Sequence, residues 1–337
     1  MASASEGRAV AVVDCGTNST RLLIATVQDG RVLAFLRRTI ITRLGAGVDG
    51  SGHLSDDGIG RVMHALEDYV GHWRAAGIVD VAVCATSAVR DAANADRFAD
   101  RVGDVAGVAP VVLSGSVEAA LTFAGATAGD VRRRVVCDIG GGSTELIVGA
   151  GAPAHRTSLQ LGSVRLRERH LRHDPPTPDE YAALVTAIDA VLQDELPVYA
   201  ATDDTPLVAV AGTATTLAAV AQDVAESEVD RIDGLVLPAR QLARVIEDLA
   251  WLPARERLSH PAIVPGREDV VVAGGLLLSR ILACLGFDAV EIRVADLLDG
   301  VALRLAAGAW PPATPKSSLP AGGRWDENGE PSPVTPA

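Results

Sequence analysis

The chain has 337 residues, with 43 Asp or Glu against 30 Lys or Arg, a formal net charge of −13 and 48% hydrophobic content. That length and apolar content leave room for two globular cores and exclude a disordered or fibrous chain, while the acidic balance argues against a nucleic-acid partner. No apolar run reaches the roughly 18 residues of a membrane span, and the N-terminus MASASEGRAV lacks the apolar core of a signal peptide, so a soluble, cytoplasmic protein with no membrane partner is expected.

In chain order, residues 10–14 and 20–27 read as paired strands, with a third over 31–42. An amphipathic helix follows over 57–76, then a strand over 79–85 leading into ATSAVRDAAN, a helix over 92–102, a short strand over 109–113 and a helix after Ser114-Gly115-Ser116. Residues 1–127 thus form one α/β domain. A second domain, 128–310, opens with strands over 134–138, 144–149 and 155–160 and a helix over 162–171. Pro175, Pro176 and Pro178 break the chain before a long helix over 179–200. Strand 207–211 runs into the turn Gly212-Thr213-Ala214-Thr215-Thr216. Helices over 238–249 and 267–285, a strand over 289–294 and a last helix over 296–308 complete the domain, with that last helix able to pack back on the first. Residues 311–337, rich in Pro, Gly and Ser, read as a disordered tail.

One pattern is written twice: VVDCGTNSTRLLI at 12–24 and VCDIGGGSTELIV at 136–148. In each copy an apolar run ends in Asp, a Gly-rich polar turn follows and a second apolar run returns, which describes a tight antiparallel hairpin. Such a turn presents backbone N–H groups to an anion, so the pair reads as two phosphate-binding loops from duplicated domains, closing on one phosphate chain. The copies differ where the first has Arg21, a fixed cation, and the second has Glu145, a carboxylate suited to a metal or to water. The cysteines Cys15, Cys84, Cys137 and Cys284 are far apart, form no CxxC pair and read as buried reduced thiols.

Taken together, DCGTNSTR (14–21), ATSAVRDAAN (85–94), residues 115–119 with Glu118, DIGGGSTE (138–145), SLQLGSVRL (158–166) and the Gly212-Thr213 turn resemble the exopolyphosphatase and guanosine pentaphosphate phosphatase (Ppx/GppA) family over about residues 8–308. The resemblance implies an α/β, two-domain, actin-like fold of the actin, Hsp70 and sugar-kinase type, with a central interdomain cleft. It also implies a short exopolyphosphatase, a hydrolase that removes orthophosphate from inorganic polyphosphate with Mg2+, or Mn2+ in its place, and that works as a homodimer. Guanosine pentaphosphate or tetraphosphate would be an alternative substrate or an inhibitor, and a non-catalytic alarmone or polyphosphate sensor is the rival outside enzymology.

Hydrolysis of a phosphoanhydride asks a protein to grip the terminal phosphoryl, neutralise its charge and place a water in line. Gly16, Thr17, Asn18 and Ser19 would cradle phosphate from one side, and Gly140, Gly141, Gly142, Ser143 and Thr144 from the other. Arg21 and Arg90 suit bidentate contact with phosphate, although Asp91 beside Arg90 offers an ordinary ion pair; Arg267 resembles a further cleft position. Glu118 and Glu145 match two family catalytic glutamates. Glu118 is the first choice for orienting water, against the plainer role of an acid in a helix's first turn. Asp14, Asp138 and Glu145 are the candidate Mg2+ ligands, each Asp otherwise serving as a turn cap. Three departures stand out. Val117 replaces an acid, Asp296–Gly300 reads Asp-Leu-Leu-Asp-Gly where relatives carry a Leu-Arg-Glu-Gly-like motif, and His173-Asp174 lacks the companion histidines of an HD phosphohydrolase. Arg132, Arg133 and Arg134 read as a solvated basic turn that an emerging polyphosphate would be able to touch.

Overall fold

Valine and alanine alternate along β1 (Arg8–Cys15), and the period-two rule sends Ala11, Val13 and Cys15 to one face and Val10 and Val12 to the other. Both faces are covered. The first packs on the helices Asp56–Ala75 and Ala95–Ala106, and the second on Leu121 of the helix Gly115–Thr127 and on Leu297, Leu298, Val301 and Ala302. Around β1 lie β2 (Ser19–Gln28), β3 (Arg31–Ile41), β4 (Val81–Ala85) and β5 (Val111–Val112), in the order β3-β2-β1-β4-β5. The β1/β2 and β2/β3 pairs are antiparallel, and the β1/β4 and β4/β5 pairs parallel.

This computed structural model describes residues 7–193, 197–202 and 206–310. It divides into two compact units, one of residues up to Ala128 joined by those from Leu297 onward, the other Gly129–Asp296. The second unit contains β6 (Arg133–Ile139), β7 (Thr144–Ala150), β8 (Pro153–Leu159), β9 (Leu207–Val210), β10 (Val236–Pro238) and β11 (Ala289–Ile292). Its order is β10-β11-β9-β6-β7-β8. Read from β8, the run β8-β7-β6-β9-β11 repeats the first sheet strand for strand, including which neighbours are parallel, and β10 adds an edge. The sequence duplication is therefore a duplication of topology, and the mixed α/β architecture is that of the expected actin-like class.

The last helix, Leu297–Ala306, packs in the first unit. Two features fix it there. Asp299 is buried and accepts from Arg37 of β3 through Nη1 (3.1 Å) and Nη2 (2.6 Å). A Cβ on Gly300 would fall 1.9 Å from the Leu121 carbonyl, so only glycine lets this helix approach Gly115–Thr127 so closely. The departure from the family's Leu-Arg-Glu-Gly-like motif thus carries packing and an ion pair.

Several expected boundaries move. The helix expected over 179–200 spans Pro178–Leu192, because Pro178 is tolerated in the first turn and Thr177 caps it, while the later Pro197 opens a 3-10 turn, Pro197–Tyr199. Gly212–Thr216, expected as a turn, already lies in the helix Ala211–Ala221. The helix expected from 267 begins at Val271. Cys15, Cys84 and Cys137 are buried as expected, but Cys284 is exposed on the outer side of Val271–Leu285. The expected disordered tail lies outside the described residues.

Candidate active site

The two Gly turns are built alike. Gly16 N–H donates to Ser19 O (3.0 Å), and Gly140 N–H donates to Ser143 O (3.0 Å). A Cβ would stand 3.0 Å from that carbonyl at Gly16 and 3.2 Å at Gly140, which is why each copy begins its turn with glycine. Both turns then give carbonyls to the segment that follows the third strand of their own unit, a loop in the first and the start of the helix Ser163–His170 in the second. Thr17 O accepts from Gly45 N–H (2.8 Å), and Asn18 O from the N–H groups of Thr42 (3.0 Å) and Arg43 (2.8 Å). Gly140 O accepts from Ser163 N–H (3.0 Å), and Gly141 O from Val164 (2.9 Å) and Arg165 (3.1 Å). A turn with its carbonyls drawn to one side directs N–H groups to the other, the arrangement that binds anions.

In the first unit, strand register does the placing. Asp14 on β1 lies opposite Arg21 on β2, so the side chains share a face, and Arg21 donates to Asp14 Oδ2 through Nε (3.1 Å) and Nη2 (2.8 Å). In the parallel register Cys84 on β4 lies beside Asp14. Its thiol donates to Val13 O (3.3 Å), and burial, followed by Asp14, pushes it well above the usual thiol range, so it stays protonated and inert as a nucleophile. Arg90 ends the short helix Ser87–Arg90 that follows β4. It donates through Nη1 to Glu118 Oε2 (3.0 Å) and to Leu113 O (2.8 Å). The partner of Arg90 is thus Glu118, whereas Asp91 accepts from Ser87 Oγ (3.4 Å). Glu118 sits in the first turn of Gly115–Thr127 behind the Ser114 cap, 6% exposed. The second terminal nitrogen of Arg90, Nη2, is buried without a hydrogen-bond partner among the described residues.

In the second unit the same register puts Asp138 of β6 opposite Glu145 of β7. Two carboxylates therefore occupy the place that Asp14 and Arg21 hold in the first copy. Glu145 is 1% exposed, and its Oε1 accepts from Ser143 Oγ (3.0 Å) and Ser158 Oγ (2.7 Å). Thr144 points to the core side and donates to Leu161 O (2.7 Å). Arg267 lies on the start of Ala211–Ala221, donating through Nη1 to Gly212 O (3.0 Å) and Thr216 Oγ1 (2.6 Å). A Cβ on Gly212 would meet that guanidinium at 3.1 Å. The helix itself opens on Ala211 at φ 65, a left-handed conformation that a residue with a side chain rarely takes. Ser158 and Arg165, whose Nε donates to Gly142 O (2.8 Å), had no assigned role in the sequence, although both fall in the 158–166 motif.

Among the described residues no three His, Cys, Asp or Glu side chains gather as a metal cluster. Mg2+ asks for less, commonly one or two carboxylates completed by phosphate oxygens and water. The opposed pair Asp138 and Glu145 fits that donor set, whereas Asp14 Oδ2 is already held twice by Arg21. The other charged motifs are structural. Arg132 and Arg134 pair with Asp130, Arg134 also with Glu291, and Arg133 donates to the carbonyls of Val198 and Ala200. His173 pairs with Glu180, and Asp174 binds Arg257 and the N–H of Ala254.

Duplicated hairpins on repeated 3-2-1-4-5 sheets, each closed by a Gly-rich polar turn, define an actin-like α/β fold. The chain belongs to the Ppx/GppA phosphatase family, whose model matches residues 23–307. It is 36% identical over 314 residues to Exopolyphosphatase 2 of Mycobacterium tuberculosis, covering 88% of this chain and 98% of that one. It is 28% identical to the guanosine-5'-triphosphate,3'-diphosphate pyrophosphatase of Vibrio atlanticus, of which it spans 57%. The crystal structure of an exopolyphosphatase-like protein superposes with a TM-score of 0.82 at 32% identity, over 89% of this chain and 98% of that chain. No helix among the described residues is long and apolar enough to cross a membrane.

Proposed function

We propose that this protein is an exopolyphosphatase: water attacks the terminal phosphorus of inorganic polyphosphate, the bridging P–O bond breaks, and orthophosphate and a chain one unit shorter are released. The observation that carries this reading is the Arg90–Glu118 pair, a buried carboxylate gripped by a guanidinium whose other terminal nitrogen has no acceptor among the described residues. The Arg90 side chain keeps 18% of its surface exposed beside Glu118, and a guanidinium so placed suits a charge-assisted bond to a phosphate oxygen. The 36% identity to a protein named exopolyphosphatase supports the same substrate.

Glu118, oriented by Arg90, accepts the proton of the attacking water. In the first unit Arg90 and Arg21 suit phosphate charge and the N–H groups of the 16–19 turn suit phosphate oxygens; in the second unit the N–H groups of the 140–143 turn suit phosphate oxygens in the same way. In the second unit Glu145, fixed by two serine hydroxyls, would with Asp138 supply the ligands for Mg2+ or Mn2+. When bound, the ion offsets substrate charge and polarises the phosphoryl group. Arg267, anchored on Gly212, adds cationic field at the end of β9. A soluble cytoplasmic homodimer completes the reading; sedimentation equilibrium at micromolar concentration tests the dimer. Guanosine pentaphosphate is the rival substrate, supported by the Vibrio relative. Its base would need the surface of Gly212 and Thr216, where Arg267 already lies. Side-by-side phosphate release from polyphosphate, guanosine pentaphosphate and ATP tests the choice: the reading expects polyphosphate to have the highest kcat/KM, and a preference for either nucleotide would replace it.

A further inference from the structure

Residues 140–142 are three successive glycines, so no side chain of their own restrains their peptide planes. The start of the helix Ser163–His170 does most of that work. Its N–H groups take Gly140 O and Gly141 O, and Gly162 packs so tightly that a Cβ there would lie 2.4 Å from the Gly141 carbonyl. The third carbonyl, Gly142 O, accepts instead from the Arg165 side chain, Nε at 2.8 Å. In a trans peptide the C=O and the following N–H point opposite ways, so anchoring Gly142 O turns Ser143 N–H to the opposite side. That side is where the turn presents its donors. The first unit needs no such side chain, since main-chain N–H groups hold Thr17 O and Asn18 O.

We infer that Arg165 is a positioning residue that sets the Gly142–Ser143 peptide for anion binding, an inference that rests on the phosphate-binding reading of this turn. Arg165 acts through Gly142 O. Replacing it with an apolar chain lets the peptide rotate, and a rotated peptide offers a carbonyl where phosphate meets an N–H.

The test uses the full chain with R165M and R165K, inorganic tripolyphosphate as the binding probe in calorimetry, and kcat and KM on polyphosphate. R165M should melt near the parent temperature while binding tripolyphosphate and polyphosphate roughly tenfold more weakly, with kcat changed less than KM. R165K, which restores a donor toward Gly142 O, should recover part of the affinity. Parental tripolyphosphate affinity in R165M overturns the inference, and so does a loss in R165K as deep as in R165M at parental melting temperature. If R165M fails to fold, R165K decides alone: near-parental affinity supports the inference and a tenfold loss overturns it. A parent that binds tripolyphosphate but releases no phosphate from polyphosphate would sink the exopolyphosphatase reading while leaving the Arg165 comparison intact. A parent that binds no tripolyphosphate overturns both.

Discussion

Glu118 and Arg90 lie 28 residues apart in sequence and meet at 3.0 Å. Each was legible alone, as an acid in a helix's first turn and an arginine after a strand, but their pairing was not, because nothing local distinguishes Asp91 from Glu118 as a partner. The same holds for Asp14 and Arg21, expected as separate metal and phosphate ligands and joined across one rung of the sheet. Glu118→Gln preserves shape and an acceptor for Arg90 but has no basicity, so kcat should fall by about 10²–10⁴ with little change in melting temperature. Steady-state phosphate release with a thermal melt of the same sample checks both. Arg90→Met removes the charge-assisted hydrogen bond that Arg90 gives the buried Glu118 carboxylate and should destabilise the protein by about 1.5–3 kcal/mol in urea unfolding. A loss of activity in Arg90→Met with unchanged stability would show that the ion pair contributes nothing to the fold.

Elements were read best where hydrophobic period was strong: β1, β2, β6 and β7 and the helix Asp56–Ala75 fall close to their expected spans. Edge strand β10 is three residues long and carries no readable alternation. The sequence allowed Leu297–Ala306 to pack back on the first unit but gave no reason for it, since Leu297, Leu298, Val301 and Ala302 would suit any core; Gly300 and Asp299 supply the reason through contacts visible only in three dimensions. Gly300→Ala drives a methyl into the Leu121 carbonyl and should cost about 1–3 kcal/mol by chemical denaturation. At Pro178–Leu192, Glu180 closes the capping box with Thr177 and receives His173, whose hydrogen bond first, with backbone N–H groups, holds its carboxyl down at about 2. A depressed folded-state value means the stabilisation is present above the ordinary carboxylate range and fades as pH falls from about 4.5 toward about 2. The melting-temperature gap between wild type and Glu180→Gln should therefore be open at pH 7 and close in acid. A gap that persists to pH 2 would contradict it.

At the scale of the whole molecule, duplication was readable because thirteen residues repeat, and the two sheets carry the repeat through their full strand order. What differs between the copies is chemistry: a compensated Asp–Arg pair in one and two opposed carboxylates in the other. That asymmetry leads to an expected dependence on a divalent cation, so chelation with EDTA should abolish turnover and Mg2+ restore it, with the thermal melt little affected. The central claim meets its most direct test in the release of orthophosphate from polyphosphate of defined chain length in Mg2+, wild type beside Glu118→Gln. The account predicts steady stepwise release by the wild type and loss of nearly all of it in the variant. Equal release by both proteins, or none by a folded wild type, would contradict it.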